Sequence, residues 1–395
     1  MIAGSLFIAG APLTDAVESA DSLEAGRRLV CAVRHALTNN IQDIYICGRY
    51  TIGTPDVLGT DVAAFAKISN GSVLRIHGLT GDRDEAIIQV QPSLTPDTNK
   101  FRFFFVESAG SLTLEHLTLR GGRARLVTNA SGGAVFVEST LGNPALACSF
   151  FATNCLFDDN QARADGGAIR FEDGNRAAVA DVETNALLVL TDCRFTNNQA
   201  DQQGGAVAAS DIAVVNGCEF VGNRAGVAGP VATGLGGGFW AGPRAGAGGG
   251  SAPVFMPSTA DPDAVTTFDS NVAGEGGGVF MRGPGERYLT NVEFYSNQAQ
   301  APVSGTGETG GGALHGENSD QVTIVDCTFG EPGRGNSSVL SDAGGVMSEL
   351  TNMRIINSRF SSNSAATGLG GAARMSGSQR SLFRQCVIVS NNATT

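Results

Sequence analysis

Lysine is nearly missing from this chain. Lys67 and Lys100 are the only two among 26 basic residues. That argues against a lysine nucleophile and against a polybasic membrane patch. Charge of either sign is sparse: 16% of the 395 residues are charged, where a soluble domain usually has about 25%. The balance is acidic, with a net charge of −12. Nucleic-acid binders present basic patches, so no nucleic-acid partner is expected. No apolar run reaches the roughly 18 residues that a membrane-spanning helix needs. The eight cysteines include no Cys-x-x-Cys pair, and His35, His77, His116 and His315 lie far apart. A zinc site wants closer spacings. Calcium-binding nonapeptides of the Gly-Gly-x-Gly-x-Asp type are also absent, and no metal or cofactor is expected.

Glycine is what the chain has in quantity, 54 residues of it. Its placement is periodic. Asn154-Cys155-Leu156-Phe157-Asp158-Asp159-Asn160-Gln161-Ala162 is followed by Gly166-Gly167-Ala168-Ile169. The same pattern, Cys-x-Phe-x-x-Asn-x-Ala and then Gly-Gly-Ala, returns down the chain. Its Asn column reads Asn160, Asn198, Asn223, Asn271, Asn297, Asn363 and Asn391. Its cysteine column reads Cys155, Cys193, Cys218, Cys327 and Cys386. The shortest steps between successive Phe residues are 25 (Phe195 to Phe220) and 26 (Phe268 to Phe294). Repeats of this length mean a solenoid. Small residues alternating with Phe or Leu mark short strands, while Asn and Gly-Gly permit the backbone to turn. Helical repeats are excluded by the glycine, which costs roughly 1 kcal/mol at each helix-interior position. Stacked copies at the strand spacing of about 4.8 Å bury one continuous core.

Paired Gly-Gly-Ala and Phe-x-x-Asn repeats resemble those of the chlamydial polymorphic outer-membrane protein passenger domains. More broadly they resemble right-handed parallel β-helices of the pectin-lyase-like class. The repeat covers roughly residues 111–395. The resemblance implies an all-β fold: a single-stranded right-handed parallel β-helix, or solenoid. It also implies surface display and adhesion, hence an extracellular or cell-surface location. The family normally carries a C-terminal membrane barrel, which this sequence does not contain.

The organisation expected is an N-terminal cap at 1–60, a helix plus first strand, and a β-helix at 61–395. A Gly-rich loop insertion falls near 226–262. Leu23, Ala25, Leu29, Val33, Ala36 and Leu37 keep nearly helical spacing, with Ser22 or Asp21 as N-cap and Asn39-Asn40 as stop. A short capping helix here covers a first coil that otherwise exposes core to water. Met1 to Ala11 lack a basic n-region and make a poor secretory signal. Around Phe329, Gly330-Glu331-Pro332-Gly333 replaces the Asn bend, so a protruding loop is expected. After Asn391-Asn392-Ala393 there is no capping segment. A stacked subunit or a continuation of the chain is expected over that last coil.

The candidate sites are few. The Asn column is expected to form an inward ladder, since buried amides need partners. The cysteine column reads as inward thiols acting as small apolar fillers. Cys31 and Cys47 flank the cap's helix-to-strand turn and form a possible disulfide. Asp158-Asp159 with Asp165 is the best acidic cluster, yet Thr196-Asn197 and Gln202 stand one coil later, so it reads as a solvated turn. Trp240 is the one tryptophan and a possible contact for a sugar or a protein. No catalytic residue is assigned. The expected function is a non-enzymatic surface or extracellular scaffold, adhesive or assembly-forming, whose partner is a protein or glycan. The alternative is a polysaccharide lyase or glycoside hydrolase on the same fold, which rests on fold analogy alone.

Overall fold

The computed structural model describes residues 5–14, 19–53, 64–92, 101–124, 130–139, 147–172, 188–210, 213–226, 234–243, 253–255, 261, 263–300, 309–340, 342–378 and 380–394. Most of the Gly-rich insertion near 226–262 lies outside them. One coil shows the plan. Ser149–Thr153 forms the first face and Leu156–Asp158 the second; Gln161–Ala162 forms the third and Ile169–Glu172 the fourth. The next coil repeats this with Leu188–Thr191, Arg194–Thr196, Gln199–Ala200 and Val207–Ala209. All strand pairing is parallel and in register, so Phe157 sits beside Phe195 and Phe195 beside Phe220. Faces one and two share a 22-stranded sheet, joined because Asp43–Ile52 runs through both; face four has ten strands and face three nine. The fold is an all-β parallel solenoid with one N-terminal helix.

Each corner has its own chemistry. Between faces one and two the bend residue is left-handed: Asn154, Asp192, Gly217, Asn291, Asp326 and Asn357 have φ of 47–57°. Between faces two and three it is Asp159, Asn197, Gly222, Ser270, Ser296 or Ser362, with φ of 50–65°. Asn, Asp and Gly tolerate this conformation best. The corner into face four is the Gly-Gly pair. Its first glycine needs positive φ, as at Gly236 (φ 68°). Its second needs room: a Cβ on Gly237 would lie 2.2 Å from the Gly277 carbonyl oxygen of the next coil.

Inside, like stacks on like. Phe157, Phe195, Phe220, Phe268, Phe294, Phe329 and Phe360 form one column with ring centroids 4.5–5.2 Å apart and planes within 10° of parallel. Such offset aromatic pairs add to the area they bury.

The N-terminal end is built differently. Ser5–Ala9 pairs with Asp43–Cys47 as an extra strand on face one. The helix spans Ala20–Asn39 and buries Ala25, Gly26, Leu29, Val30, Val33 and Ala36. Its N-cap is Ser19, one turn earlier than the expected Ser22 or Asp21. The Ser19 hydroxyl accepts from the Ser22 N–H at 3.1 Å, and Ser22 itself is buried. Asn40, at φ 59°, ends the helix. Gly26 lets the helix meet the first coil, since a Cβ there would fall 2.0 Å from the Thr51 oxygen. The structure does not join Cys31 to Cys47, the pair that the sequence offered as one possible disulfide. Both thiols are free; Cys31 is on the exposed side of the helix and Cys47 on a strand beneath. At the other end, Leu382, Phe383, Val387, Ile388 and Val389 are exposed.

Candidate functional site

The Asn column forms a continuous hydrogen-bonded row inside the corner between faces two and three. In each coil the Asn Oδ1 accepts from the backbone N–H and the Nδ2 of the Asn one coil earlier. Asn198 Oδ1 takes both at 3.0 Å from Asn160, and Asn223 Oδ1 takes both at 3.0 Å from Asn198. Each Nδ2 also donates to a backbone carbonyl of the preceding coil, that of Leu119 for Asn160 and of a Phe for the rest, as Asn223 does to Phe195 at 3.0 Å. The row runs on through Asn271 and Asn297. Its next member is Asn336, which the repeat pattern missed. Residues 330–335 leave the coil and return it to register, so Asn336 bridges Asn297 and Asn363 at 2.9 Å on each side. Asn391 ends the row, accepting from Asn363 at 2.9 Å. At the other end the Gly122 N–H donates to Asn160 at 2.9 Å. Asn336 also heads a glycosylation triplet, but it is fully buried.

Cys155, Cys193, Cys218 and Cys327 are buried in one inward column, and Cys386 is partly exposed. Their thiols donate to backbone carbonyls two residues back, as Cys193 does to Thr191 at 3.3 Å. Burial pushes the Cys155 and Cys218 thiols well above their ordinary value, and Cys327 up to about 12. Such thiols are inert at neutral pH. Cys148 is buried apart from this column, with Sγ 3.5 Å from the Glu138 oxygen.

The acidic cluster comes apart into ion pairs. Asp158 accepts from Arg120 Nε at 2.9 Å and from the Thr196 hydroxyl at 2.6 Å. Asp159 holds Arg123 at 2.7 Å. Asp165 turns toward face four, where its carboxylate accepts the Gln203 N–H at 3.2 Å and lies 3.9 Å from Arg170. Burial raises its pKa, and Arg170 opposes that shift. Asp192 and Asp326 are explained by their left-handed φ of 54°, since both are bend residues.

The four histidines serve unlike ends. His35 is exposed on the helix, 3.1 Å from Asn39. His116 occupies a bend at φ 55°, with Nδ1 3.0 Å from Asn154. His77 is clamped across three coils, with Nε2 3.0 Å from Asp43 Oδ1 and Nδ1 2.8 Å from Glu115 Oε2. Tyr45 stacks on its ring at 4.7 Å, and Phe7 on Tyr45 at 5.0 Å. Sequence spacing gave no hint of this group, whose members lie 34 and 38 residues apart.

His315 is fully buried on the outer side of face four. It shares a column with Phe136, Arg170, Ala208, Trp240, Phe280 and Met347. This column points away from the core yet is buried throughout. Trp240 is 4% exposed, so it offers no open contact surface. The Arg170 guanidinium lies 5.3 Å from its ring and donates to Glu172 at 2.8 Å. The Phe280 ring meets His315 edge-on at 5.0 Å, and Glu275 approaches Nδ1 to 3.1 Å without hydrogen-bond geometry. The fold thus gathers aromatic and titratable side chains in one outer band. Most of them are engaged with each other.

Among known families, residues 154–172 and 192–210 match the Chlamydia polymorphic membrane protein repeat. The chain is a β-helix protein carrying repeats of that type. Among solved structures it is similar to the Azotobacter vinelandii mannuronan C-5 epimerase AlgE6 A-module. The identity is 12%, the alignment covers 97% of this chain and 98% of that one, and the TM-score is 0.44. No curated protein matches the sequence.

Proposed function

We propose that this chain is a surface-displayed scaffold of the adhesive kind, not a polysaccharide-cleaving enzyme. The observation that carries the reading is the pairing of outward carboxylates with cations, mostly from neighbouring coils. Asp158 is held by Arg120 and Asp159 by Arg123. Glu317 pairs with Arg282, Asp342 with Arg374, and Glu107 with Lys67. Asp269 and Glu331 share Arg334 at 2.7 and 2.8 Å. Acid–base cleavage of a glycosidic bond calls for a facing pair of carboxyl groups left available to substrate. The repeats of polymorphic-membrane-protein type support the surface setting. No helix among the described residues is long and apolar enough to cross a membrane.

Two measurements test this reading. Protease added to intact cells is expected to remove the protein while cytoplasmic markers survive; full protection overturns the surface setting. Incubation with neutral and acidic polysaccharides is expected to release no new reducing ends or unsaturated products. Turnover of any of them overturns the scaffold reading in favour of the lyase or hydrolase.

A further inference from the structure

Charge is divided unevenly along the solenoid. Residues 351–395 contain five arginines and no acidic residue, which leaves −17 on the rest of a chain whose total is −12. Upstream, Arg75, Arg120, Arg123, Arg194 and Arg282 each meet a carboxylate. In the last coils only Arg374 does, with Asp342. Arg354, Arg359, Arg380 and Arg384 are exposed and pair with no carboxylate among the described residues. Three of them, Arg354, Arg359 and Arg384, share one edge. Arg354 and Arg384 lie on the outer side of face one, where Arg384 stands beside Ile356, two residues from Arg354. Arg359 follows the bend onto face two. At Arg359, and next in sequence to Arg384, is a depression of about 340 Å³ lined by Asp326, Thr328, Asn357, Ser358, Arg359 and Gln385, with Cys327 and Val387. Its one acid, Asp326, accepts a hydrogen bond from the Asn357 amide at 2.5 Å.

We propose that this edge binds an anionic polysaccharide bearing sulfate or carboxylate groups. Guanidinium forks match such oxyanions in bidentate fashion. The amides and hydroxyls in the depression suit sugar hydroxyls, which a phosphodiester backbone lacks in that density. A long nucleic-acid duplex also meets the −17 of the remaining coils. A volume near 340 Å³ falls at the small end of ligand pockets, about 300–1,000 Å³, and fits a few sugar units with the chain running off over the arginines. This deepens the scaffold reading by naming a partner class, and rests on that reading only for where the encounter occurs.

The test uses the full chain and a heparin-derived octasaccharide, with its desulfated counterpart as control. Binding to the sulfated form is expected to fall as salt rises. The desulfated form is expected to bind at least roughly tenfold more weakly, the order that losing a charge-assisted pair gives. Arg354→Gln/Arg359→Gln/Arg384→Gln is expected to lose a similar factor at an unchanged melting temperature. Arg194→Gln, on the paired upstream surface, is expected to bind as wild type. If the triple variant melts early, the matching Arg→Lys triple is read instead and is expected to bind several-fold more weakly than wild type, because an ammonium offers no bidentate fork; wild-type affinity in that variant overturns the proposal. No binding at low salt, an unaffected triple Gln variant, or equal affinity for duplex DNA or phosphatidylglycerol vesicles overturns the proposal. A chain that binds the octasaccharide but resists protease on intact cells keeps this site and loses the surface setting.

Discussion

The first coils and the later ones solve the same stacking problem by different means. From about residue 150 onward, identical side chains recur in register, and each coil is held by the same amide, ring and glycine contacts as its neighbour. Between residues 43 and 120 almost nothing recurs. There the coils rest on a helix, on Phe65, Phe103 and Phe104 packed at tilted angles (ring centroids 4.8–6.2 Å apart), and on single-use contacts such as the His77 clamp. A repeat needs only a neighbour of its own kind. The end of a solenoid has no such neighbour and must be finished with unique parts. Loss of a periodic contact should therefore spread along the coils, and loss of a unique one should stay local.

The largest effect is expected from removing residues 1–40. That uncovers the apolar surface now under Leu29, Val30 and Val33 and should give aggregation on light scattering; a soluble monomeric product breaks the comparison. Next comes Gly237→Ala, whose Cβ would lie 2.2 Å from a backbone oxygen. It should cost roughly 4 kcal/mol or more in urea unfolding, the far tail for single substitutions. Gly71→Ala has open space around it but a left-handed φ of 73°, so it should cost only the roughly 1–2 kcal/mol of that backbone conformation. Asn223→Ala strands the Phe195 carbonyl and the Asn198 donors. At about 1–3 kcal/mol for each of these three groups, a loss of roughly 3 kcal/mol or more is expected. A loss under about 1 kcal/mol would mean the row is ornamental.

His77→Gln should cost about 1 kcal/mol or less, because its partners are partly exposed. Hydrogen exchange should speed up in Asp43–Ile52 and Ser111–Glu115 alone; acceleration beyond residue 150 would erase the distinction between the two regions. The smallest perturbation is chemical. Cys31 should react with iodoacetamide within minutes in the native protein. Cys155, Cys193, Cys218 and Cys327, all buried in the core, should not. Fast labelling of all four would place the strands one residue out of register.

The periodic region was readable because its causes are local and repeated. Left-handed corners demand Asn, Asp, Ser or Gly; the tight corner demands Gly-Gly; stacked rings demand Phe. Seven copies make such demands visible. Asn336 escaped because six residues of loop displaced it from the expected spacing. The helix was legible from its apolar stripe, although its cap lay a turn earlier. The His77 clamp and the outer band around Trp240 and His315 were not legible. Their members are joined only by the coil pitch, and each contributes one residue to a contact that occurs once.

The amide row has a direction. Every Oδ1 in it accepts from the coil before, so all eight side-chain amides point the same way along the axis. Their dipoles add, as peptide dipoles do in a helix, and low polarity around them lets each bond strengthen the next. The negative pole faces the N-terminal coils and the positive pole the C-terminal ones. The solenoid is therefore an electrical rod whose internal polarity has the same sense as the charge on its surface. An anion approaching the arginine-bearing coils would meet both fields aligned.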